Sequence, residues 1–222
     1  DISKLKKEVA EKFGYPYVVK PTREGSSMGV SVVKSESGMD VAWEYAFKYD
    51  QEVLVEEFLK GLEYTCVVWG NNEPKAMLPT EIVFEGDFFT YEGKYMPGRT
   101  QTITPARLNK GVLEDIQKIS TDVYELIGCK GYGRVDGFVV PKDASKLLEI
   151  HGLPTEEVNI YVTEPHTGTI MVPSSFVFQQ ASQFDIKLDD KFTGKKISTP
   201  LSPRMLVTQI IEMAVEAHGK KK

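Results

Sequence analysis

The sequence predicts an α+β fold with mostly antiparallel sheets and flanking helices. Short β-branched segments follow one another closely along the chain, which is typical of hairpins, and longer segments carry apolar residues at helical spacing. The chain has 222 residues and is 41% hydrophobic, so it can bury a substantial core. The sequence contains no internal repeat and no low-complexity segment. These features favour a mixed fold in which the strands pair mainly with antiparallel neighbours.

The helices are predicted from their apolar spacing and their end signals. Glycine or proline follows the first helix and the longest one, as expected where a helix ends. The longest helix has an apolar face made of Leu108, Val112, Ile116, Ile119, Val123 and Ile127. The predicted helices cover residues 1–13, 38–49, 108–127, 173–184 and 201–218.

The strands are predicted from β-branched and aromatic runs bounded by turn residues. They comprise a hairpin at 18–33, single strands at 52–58, 63–69, 131–140 and 160–166, and a strand pair within 74–84. Two connections differ from ordinary turns. Residues 85–100 are aromatic and charged without a period, which is typical of a functional loop, and residues 141–158 form a polar insertion.

Composition excludes several classes of protein. A net charge of −5 and a pI near 5.4 argue against general nucleic-acid binding, which normally needs a basic surface. Cys66 and Cys129 lie in apolar surroundings without metal-ligand spacing, so we expect buried free thiols and a cytoplasmic protein. No apolar run is long enough to span a membrane. Because residue 1 is Asp, we expect the chain to be a piece of a longer protein.

The hairpin at 18–33 has the features of a flap that closes over a polyphosphate. Lys20 ends its first strand, and Gly25 and Gly29 allow the positive φ values that a tight turn needs. Ser26 and Ser27 add hydroxyl groups where phosphate oxygens would lie. The chain lacks the GxxxxGK[ST] loop of other nucleotide-binding proteins. From these residues alone, an ordinary glycine-containing hairpin is an equally good interpretation.

Five segments in order along the chain carry a specific resemblance. They read VVKPTREGSSMGVSVV, VLVEEFLKGLEYT, FFTYEGKY, LIGCKGYGRVDGF and VTEPHTGTIMVPSS. Their order and approximate spacing resemble those of the D-alanine–D-alanine ligases, which belong to the ATP-grasp superfamily. The resemblance implies the ATP-grasp fold. It also implies a central subdomain at 1–75 with the nucleotide-binding hairpin, a C-terminal catalytic subdomain at 76–222, and the absence of the family's N-terminal domain.

The resemblance assigns one set of residues to ATP. The lysine at the end of the first strand and a second lysine in the aromatic loop meet the phosphates, the flap covers them, and the remaining residues meet adenine and ribose. In this sequence these are Lys20 and Lys94, then Glu24, Gly25, Ser26, Ser27 and Gly29 of the flap, Glu56, Glu57 and Leu59 of the adenine hinge, and Glu63 at the ribose. Without the family, Glu56 and Glu57 would be interpreted as solvated charges at a strand end.

The resemblance also assigns residues to the chemistry and the amino-acid substrates. Lys94 contacts the transferred phosphate, and Arg134 stabilises the acyl phosphate and the tetrahedral intermediate. Tyr95 lies over the second substrate and favours D-alanine over D-lactate, and Ser26 helps to fix this tyrosine. Ser175 holds the carboxylate of the second substrate.

Three further residues match metal ligands. Asp136 and Glu164 match two carboxylates that bind Mg²⁺ or Mn²⁺, and His166 stands where the family has a metal-binding asparagine. Imidazole favours Mn²⁺, Co²⁺ or Zn²⁺ more than an amide oxygen does. An alternative is that His166 only packs or forms hydrogen bonds. Paired carboxylates on strands are otherwise often solvated.

The function implied is ATP-dependent joining of two D-alanines through an acyl phosphate, in peptidoglycan biosynthesis. We expect ATP, a divalent metal ion and small amino acids as ligands, no nucleic acid or membrane, a homodimer as in the family, and an isolated chain with little activity. Two alternatives stay open, namely a ligase for another carboxylate and amine, and a degenerate module that binds nucleotide without catalysis. Two departures from the family pattern favour the second alternative: His166, and the segment Gly168-Thr169-Ile170 in place of proline and glycine. The insertion at 141–158 is a third departure, longer than the family's strand connection.

Overall fold

The computed structural model describes residues 2–84, 100–169, 171–172, 175–189 and 196–219. The chain forms two compact units. The first contains residues 2–60 and the described residues between 84 and 101, and the second contains residues 61–83 and the described residues from 102 onwards. The division falls after Lys60 rather than after residue 75, because the strand Leu62–Trp69 belongs to the large sheet of the second unit. That these units are the two subdomains of the resemblance stays a prediction.

The first unit is a three-stranded antiparallel sheet with two helices. Its strand order is β2-β1-β3, and β1 pairs antiparallel with both neighbours. The elements are α1 at Ile2–Phe13, β1 at Tyr17–Pro21, β2 at Ser31–Val33, a 3₁₀ turn at Glu36–Gly38, α2 at Met39–Phe47 and β3 at Val53–Glu57. The predicted hairpin is therefore present as β1 and β2, and the predicted helix at 38–49 is present as α2.

The core of the first unit lies between the sheet and α2. Tyr17, Val19 and Val33 are buried on one face of the sheet, and Trp43 and Ala46 face them from α2. The indole N–H of Trp43 donates to the Tyr17 hydroxyl at 3.4 Å, so this buried donor has a partner. Buried residues alternate along β1, so Lys20 projects from the face opposite to Tyr17 and Val19.

The second unit is organised around a six-stranded sheet. Its main path is β7-β6-β4-β8-β9, and β5 pairs with β4. The elements are β4 at Leu62–Trp69, β5 at Lys75–Ala76, β6 at Thr80–Phe84, β7 at Thr100–Ile103, α3 at Lys110–Leu126, β8 at Tyr132–Pro141, 3₁₀ helices at Ala144–Gly152 and Thr155–Glu157, β9 at Val158–His166, α4 at Phe176–Ala181, β10 at Asp185–Asp189, β11 at Lys196–Pro200 and α5 at Pro203–Gly219. The fold class is thus as predicted, with helices beside antiparallel sheets.

The packing of α3 corrects the predicted apolar face. The residues of α3 that are buried recur at exact four-residue intervals and are Val112, Ile116, Ser120 and Tyr124. Ile127 is instead 42% exposed. A straight helix keeps residues i and i+4 on nearly the same face, and the Tyr124 hydroxyl can be buried because it donates to the Gly70 carbonyl at 2.9 Å.

The register between β8 and β9 places the candidate ligands opposite each other. Arg134 pairs with His166 and Asp136 with Glu164, and a register shift follows between Asp136 and Gly137. The two strands are antiparallel, so side chains at paired positions project from the same face of the sheet. The predicted carboxylate pair is therefore brought together by strand pairing.

Both cysteines are buried and free, as the sequence indicated. Burial raises the pKa of the Cys66 thiol to about 12, so this thiol stays protonated at neutral pH. Within the described part of the chain, no helix has the length and apolarity needed to span a bilayer.

Candidate active site

The flap between β1 and β2 contains a run of unusual backbone conformations. Ser26 and Ser27 have φ values of 53° and 60°, and Gly29 has φ 72°. The turn closes through two hydrogen bonds, from Met28 N to Gly25 O at 3.0 Å and from Val30 N to Ser27 O at 3.2 Å. Non-glycine residues with positive φ are uncommon and concentrate at functional sites. The backbone of the flap is thus held in a strained form.

The stem of the flap is fixed by polar contacts that the sequence did not indicate. The Thr22 hydroxyl donates to Asp50 Oδ2 at 2.7 Å, and the Arg23 guanidinium donates to Glu52 Oε2 at 2.9 Å. The hydrogen bond from Thr22 lowers the pKa of Asp50, more than burial raises it. These contacts hold the first residues of the flap against the turn that precedes β3.

Lys20 and Glu56 form an ion pair on neighbouring strands. Nζ of Lys20 lies 2.8 Å from Oε2 of Glu56, and both side chains are mostly buried. The predicted adenine hinge comprises the last two residues of β3, Glu56 and Glu57, and Leu59 just after the strand; Glu57 is exposed and Leu59 is half-buried. Two residues that the resemblance assigns to opposite ends of ATP, phosphate and adenine, are therefore in direct contact within the first unit.

A cluster of charged side chains lies on β8, β4 and β9 of the second unit, and we call it the Arg134 cluster. It comprises Arg134, Asp136, Thr65 and His166. The Arg134 guanidinium donates to both carboxylate oxygens of Asp136, from Nε at 2.8 Å and from one terminal nitrogen at 2.6 Å. The Thr65 hydroxyl donates to Asp136 Oδ1 at 2.6 Å, and His166 Nε2 lies 3.1 Å from Oδ2.

The surroundings of Asp136 keep its carboxylate ionised although it is mostly buried. Burial raises the pKa of Asp136, but the hydrogen bond with His166, the positive charge of Arg134 and the hydrogen bonds from Arg134 and Thr65 lower it more, to about 2. A bidentate guanidinium contact is the geometry in which arginine holds a carboxylate most firmly. Arg134 is therefore oriented by Asp136.

Glu164 and Ser175 complete the predicted residues of the second unit that the structure describes, apart from Glu63 on β4. Oε1 of Glu164 lies 3.7 Å from Nε2 of His166, and half of the Glu164 side chain is exposed. The Ser175 hydroxyl is buried and has no hydrogen-bond partner among the described residues. A buried hydroxyl without a partner costs about 1–3 kcal/mol, so this position favours a ligand that would bond to it.

The next feature is the set of side chains that could bind a metal ion. The described residues contain no group of three or more His, Cys, Asp and Glu side chains arranged to hold one. Mg²⁺ is often bound by one or two carboxylates while phosphate oxygens and water complete its shell. Asp136 and the half-exposed Glu164 supply such carboxylates at paired positions. Two carboxylates at paired positions suit a magnesium ion that also contacts phosphate, and Asp136 would exchange one of its present contacts with Arg134, Thr65 or His166 for the ion. The contact of His166 is a hydrogen bond to Asp136.

Some predicted residues lie outside the part of the chain that the structure describes. These are Lys94, Tyr95 and Ile170. Conversely, three residues were not predicted from the sequence. Thr65 belongs to the Arg134 cluster, Phe176 contacts Arg134, and Gln180 binds the main-chain oxygen of Thr65. Gln180 could have been noticed as a polar residue within the apolar segment FVFQQA. Phe176 directly follows the predicted Ser175, and Thr65 ends one of the resembling motifs.

Comparison with known proteins gives consistent results. The family model described as D-ala D-ala ligase C-terminus matches residues 1–163. The D-alanine–D-alanine ligase of Geotalea uraniireducens (strain Rf4) is 44% identical over 142 residues, which cover 64% of this chain and 45% of that ligase. The chain thus spans less than half the length of this curated relative. Glu164, His166 and Ser175 lie beyond the end of the family match.

Solved structures extend the likeness to the rest of the chain. The crystal structure of VanG D-Ala:D-Ser ligase from Enterococcus faecalis has a TM-score of 0.66 at 27% identity, covering 96% of this chain and 53% of that one. The crystal structure of D-alanine–D-alanine ligase from Bacillus anthracis has a TM-score of 0.68 at 25% identity, covering 100% of this chain and 60% of that one. Together with the fold, these matches support the ATP-grasp architecture that the sequence predicted.

Proposed function

Because the chain belongs to the D-alanine–D-alanine ligase family, we propose that it forms the ATP-binding and catalytic part of a ligase that joins two D-alanine molecules. The observation that carries the proposal is the Arg134 cluster. The guanidinium of Arg134, held in place by Asp136, lies close to Phe176. Phe176 directly follows Ser175, whose buried hydroxyl has no hydrogen-bond partner within the described part of the chain. This arrangement suits an anionic acyl phosphate and a substrate carboxylate.

The reaction that we propose has two steps. A carboxylate oxygen of the first D-alanine attacks the γ-phosphorus of ATP, the bond to the bridging oxygen breaks, and ADP leaves. The amine of the second D-alanine then attacks the acyl carbon, loses a proton, and displaces inorganic phosphate. Negative charge builds up on phosphoryl and acyl oxygens in both steps, so positive groups that are oriented in advance supply most of the acceleration.

Each residue has a role suited to its chemistry in this proposal. Lys20 neutralises phosphate charge from β1, and the flap covers the phosphates with backbone N–H groups. Arg134 stabilises the oxyanion of the tetrahedral intermediate. Ser175 donates to the carboxylate of the second substrate. The proposal also includes the roles that the resemblance assigns to Lys94, at the transferred phosphate, and to Tyr95, over the second substrate.

Asp136 and Glu164 would hold the metal ion in this proposal. When bound, the ion supplies Lewis-acid stabilisation of phosphate oxygens. Asp136 also orients Arg134, and Glu164 leaves half of its side chain accessible to a ligand. The same proposal includes four further expectations: His166 as a third ligand, Mn²⁺ in place of Mg²⁺, a homodimer and a cytoplasmic location.

Lys20 provides the first test of the nucleotide site. Replacing Lys20 with alanine should weaken Mg²⁺-ATP binding by about 10-fold or more, because a charged hydrogen bond contributes about 1.5–3 kcal/mol. Lys48→Ala, at an exposed lysine of the same unit, is the matched control and should leave the affinity unchanged. Calorimetry or a fluorescent ATP analogue gives the affinities. Equal affinities in both variants would contradict the assignment of Lys20.

Turnover is tested in a chimaera, since the chain covers 45% of the Geotalea ligase. The part of that ligase that this chain does not match is fused to the chain, and ADP release is measured with D-alanine, D-serine and D-lactate as the second substrate. We expect release that depends on D-alanine and is lost in Arg134→Gln. Preference for D-serine would favour the other-amine alternative, which the likeness to a D-Ala:D-Ser ligase raises. ATP binding without turnover would favour the degenerate module.

A further inference from the structure

The geometry points to α4 as the element that positions Arg134, through Phe176 and Gln180. We propose that the Phe176 ring confines the guanidinium and that the Gln180 amide fixes α4 on the sheet so that the ring can do so. Both are positioning residues, since they act through Arg134. The inference rests on the proposed function for its catalytic meaning, but its physical content concerns Arg134 alone.

Two restraints act on the Arg134 guanidinium. Asp136 holds its edge through two hydrogen bonds, and the Phe176 ring centroid lies 5.6 Å from Cζ. A cation near the face of an aromatic ring is attracted by the ring quadrupole. The hydrogen bonds to Asp136 still allow the guanidinium to pivot about that contact, and a side chain from another element can limit this motion. The Phe176 ring is close enough to do so.

Gln180 is the residue that attaches α4 to the sheet. It is completely buried, and its amide makes three hydrogen bonds. Oε1 accepts from Val67 N at 2.8 Å, while Nε2 donates to Thr65 O at 2.9 Å and to Thr80 Oγ1 at 3.0 Å. A primary amide that accepts from and donates to one strand imitates a neighbouring strand. The contact therefore fixes both the position and the direction of the Gln180 side chain.

The place of this contact on β4 explains why a side chain is used there. β6 pairs with β4 from Glu63 to Thr65, and β5 pairs with β4 at Val68 and Trp69. Val67 lies between the two pairings, and Gln180 meets its N–H. The amide of Gln180 thus continues the hydrogen bonding of β4 between two short strands. Buried backbone groups need such partners.

The same contact leads directly to Asp136. Gln180 binds the main-chain oxygen of Thr65, and the Thr65 hydroxyl donates to Asp136 at 2.6 Å. Phe176 lies one helical turn before Gln180, so the two side chains project from neighbouring positions on α4. One helix therefore contacts Arg134 directly, by the ring of Phe176, and is connected to Asp136 indirectly, through Thr65.

The test follows the Arg134 Nε–H group by NMR in the full 222-residue chain. Phe176→Leu should remove the ring-current shift of this proton and speed its exchange with water by about 3- to 10-fold, the factor that corresponds to an ordinary cation–π contact. Phe176→Trp should restore slow exchange, because an aromatic face is present again. Phe178→Leu, in the same helix and core, is the matched control and should leave the Arg134 signal unchanged.

The test of Gln180 distinguishes the loss of its hydrogen bonds from a general loss of stability. Gln180→Glu removes the Nε2 donor and keeps the shape, and it should broaden or shift the Arg134 signal although the two side chains share no contact. Val177→Ala lowers stability by removing buried methyl groups from α4 while leaving the amide contacts in place, so it should not move that signal. Exchange that is unchanged in Phe176→Leu, or changed equally in Phe178→Leu or Val177→Ala, would overturn the inference.

Kinetics connect the inference to catalysis. In the chimaera, Phe176→Leu should lower kcat by about 3- to 10-fold and leave KM for ATP unchanged, because the contact acts on Arg134 rather than on the nucleotide. A changed Arg134 signal with an unchanged kcat would overturn the positioning role. Absence of turnover in every chimaera, with the Arg134 signals behaving as expected, would instead contradict the proposed function and leave the positioning of Arg134 supported.

Discussion

At the scale of single residues, Arg134 and Asp136 illustrate how a mostly buried charge is kept usable. Asp136 accepts hydrogen bonds from Arg134 and Thr65 and contacts His166, so its ionised form is favoured despite burial. A buried ion pair with such satisfied partners contributes orientation more reliably than stability. Both residues lie on β8, two positions apart and therefore on the same face of the sheet, so the backbone of the strand rather than their charges brings them together.

The pair of Glu81 with Arg107 joins a buried carboxylate to a half-exposed guanidinium, away from the Arg134 cluster, and gives a prediction for stability. Its side chain is almost completely buried and accepts from Arg107 Nε at 2.9 Å, from a terminal nitrogen at 2.7 Å and from the backbone N–H at 3.2 Å. Glu81→Gln should lower the free energy of unfolding of the second unit by about 1–3 kcal/mol at pH 7, because two charged hydrogen bonds lose their acceptor charge. Urea unfolding followed by hydrogen exchange of β6 amides measures this change.

The Glu81 effect should depend on pH in a defined direction. Burial raises the pKa of Glu81, but hydrogen bonds and charge from Arg107 lower it more, so its pKa in the folded chain is below the ordinary value of 4.5. The stabilisation is therefore complete above about pH 4.5 and is lost as the pH falls through the folded pKa. Glu114→Gln is the control, because its pair with Lys110 is exposed and should contribute about 0.5 kcal/mol or less. A constant Glu81→Gln difference down to pH 3 would contradict this account.

At the scale of elements, the register shift in β8 is a point where one added methyl group should disturb the candidate site. An added Cβ at Gly137 would lie 2.1 Å from Tyr161 O and 2.6 Å from the Tyr64 hydroxyl oxygen. Gly137→Ala should therefore cost about 2–3 kcal/mol and shift the pairing of Asp136 with Glu164. Hydrogen exchange of the β8 and β9 amides reports both effects.

Gly152→Ala is the matched control for that substitution. Nothing lies within 4 Å of a Cβ at Gly152, so stability should change by about 0.5 kcal/mol or less. If the β8 and β9 amides exchanged as slowly in Gly137→Ala as in Gly152→Ala, the close approach of β9 to Gly137 would not constrain the register.

The elements also differ in how far the sequence could predict them. The first helix, the hairpin and the long strand β8 follow from local spacing and end signals. On the buried face of α3, Val112 and Ile116 were predicted correctly. Ser120 and Tyr124 were not, since they are polar and burial of a polar group depends on contacts that only the tertiary fold provides, such as that of Tyr124 with Gly70. The strand pair β10 and β11 was likewise missed. Ile186 and Leu188 do alternate with charged residues, but each strand has only five residues, and Asp and Lys are uncommon in strands.

At the scale of the whole molecule, the resemblance identified motif residues better than their supports. Asp136, Glu164 and His166 were predicted, and strand pairing does bring them together. The direct pairing of Lys20 with Glu56 was not predicted, because a motif assigns each residue to a ligand and says nothing of contacts between them. Gln180 and Thr65 were missed for the same reason: they contact backbone or other side chains, and only the tertiary fold reveals such contacts.

The last prediction concerns what this chain does without further protein. The chain spans 45% of the Geotalea ligase, yet it carries the flap, Lys20 and the Arg134 cluster. We therefore expect the chain alone to bind Mg²⁺-ATP but to release ADP with D-alanine at less than about one hundredth of the chimaera's rate, because productive orientation of a substrate contributes several kcal/mol. A coupled ADP assay compares the two, with Arg134→Gln chimaera as the background. Release by the chain alone at a rate close to that of the chimaera would mean that these 222 residues suffice for catalysis.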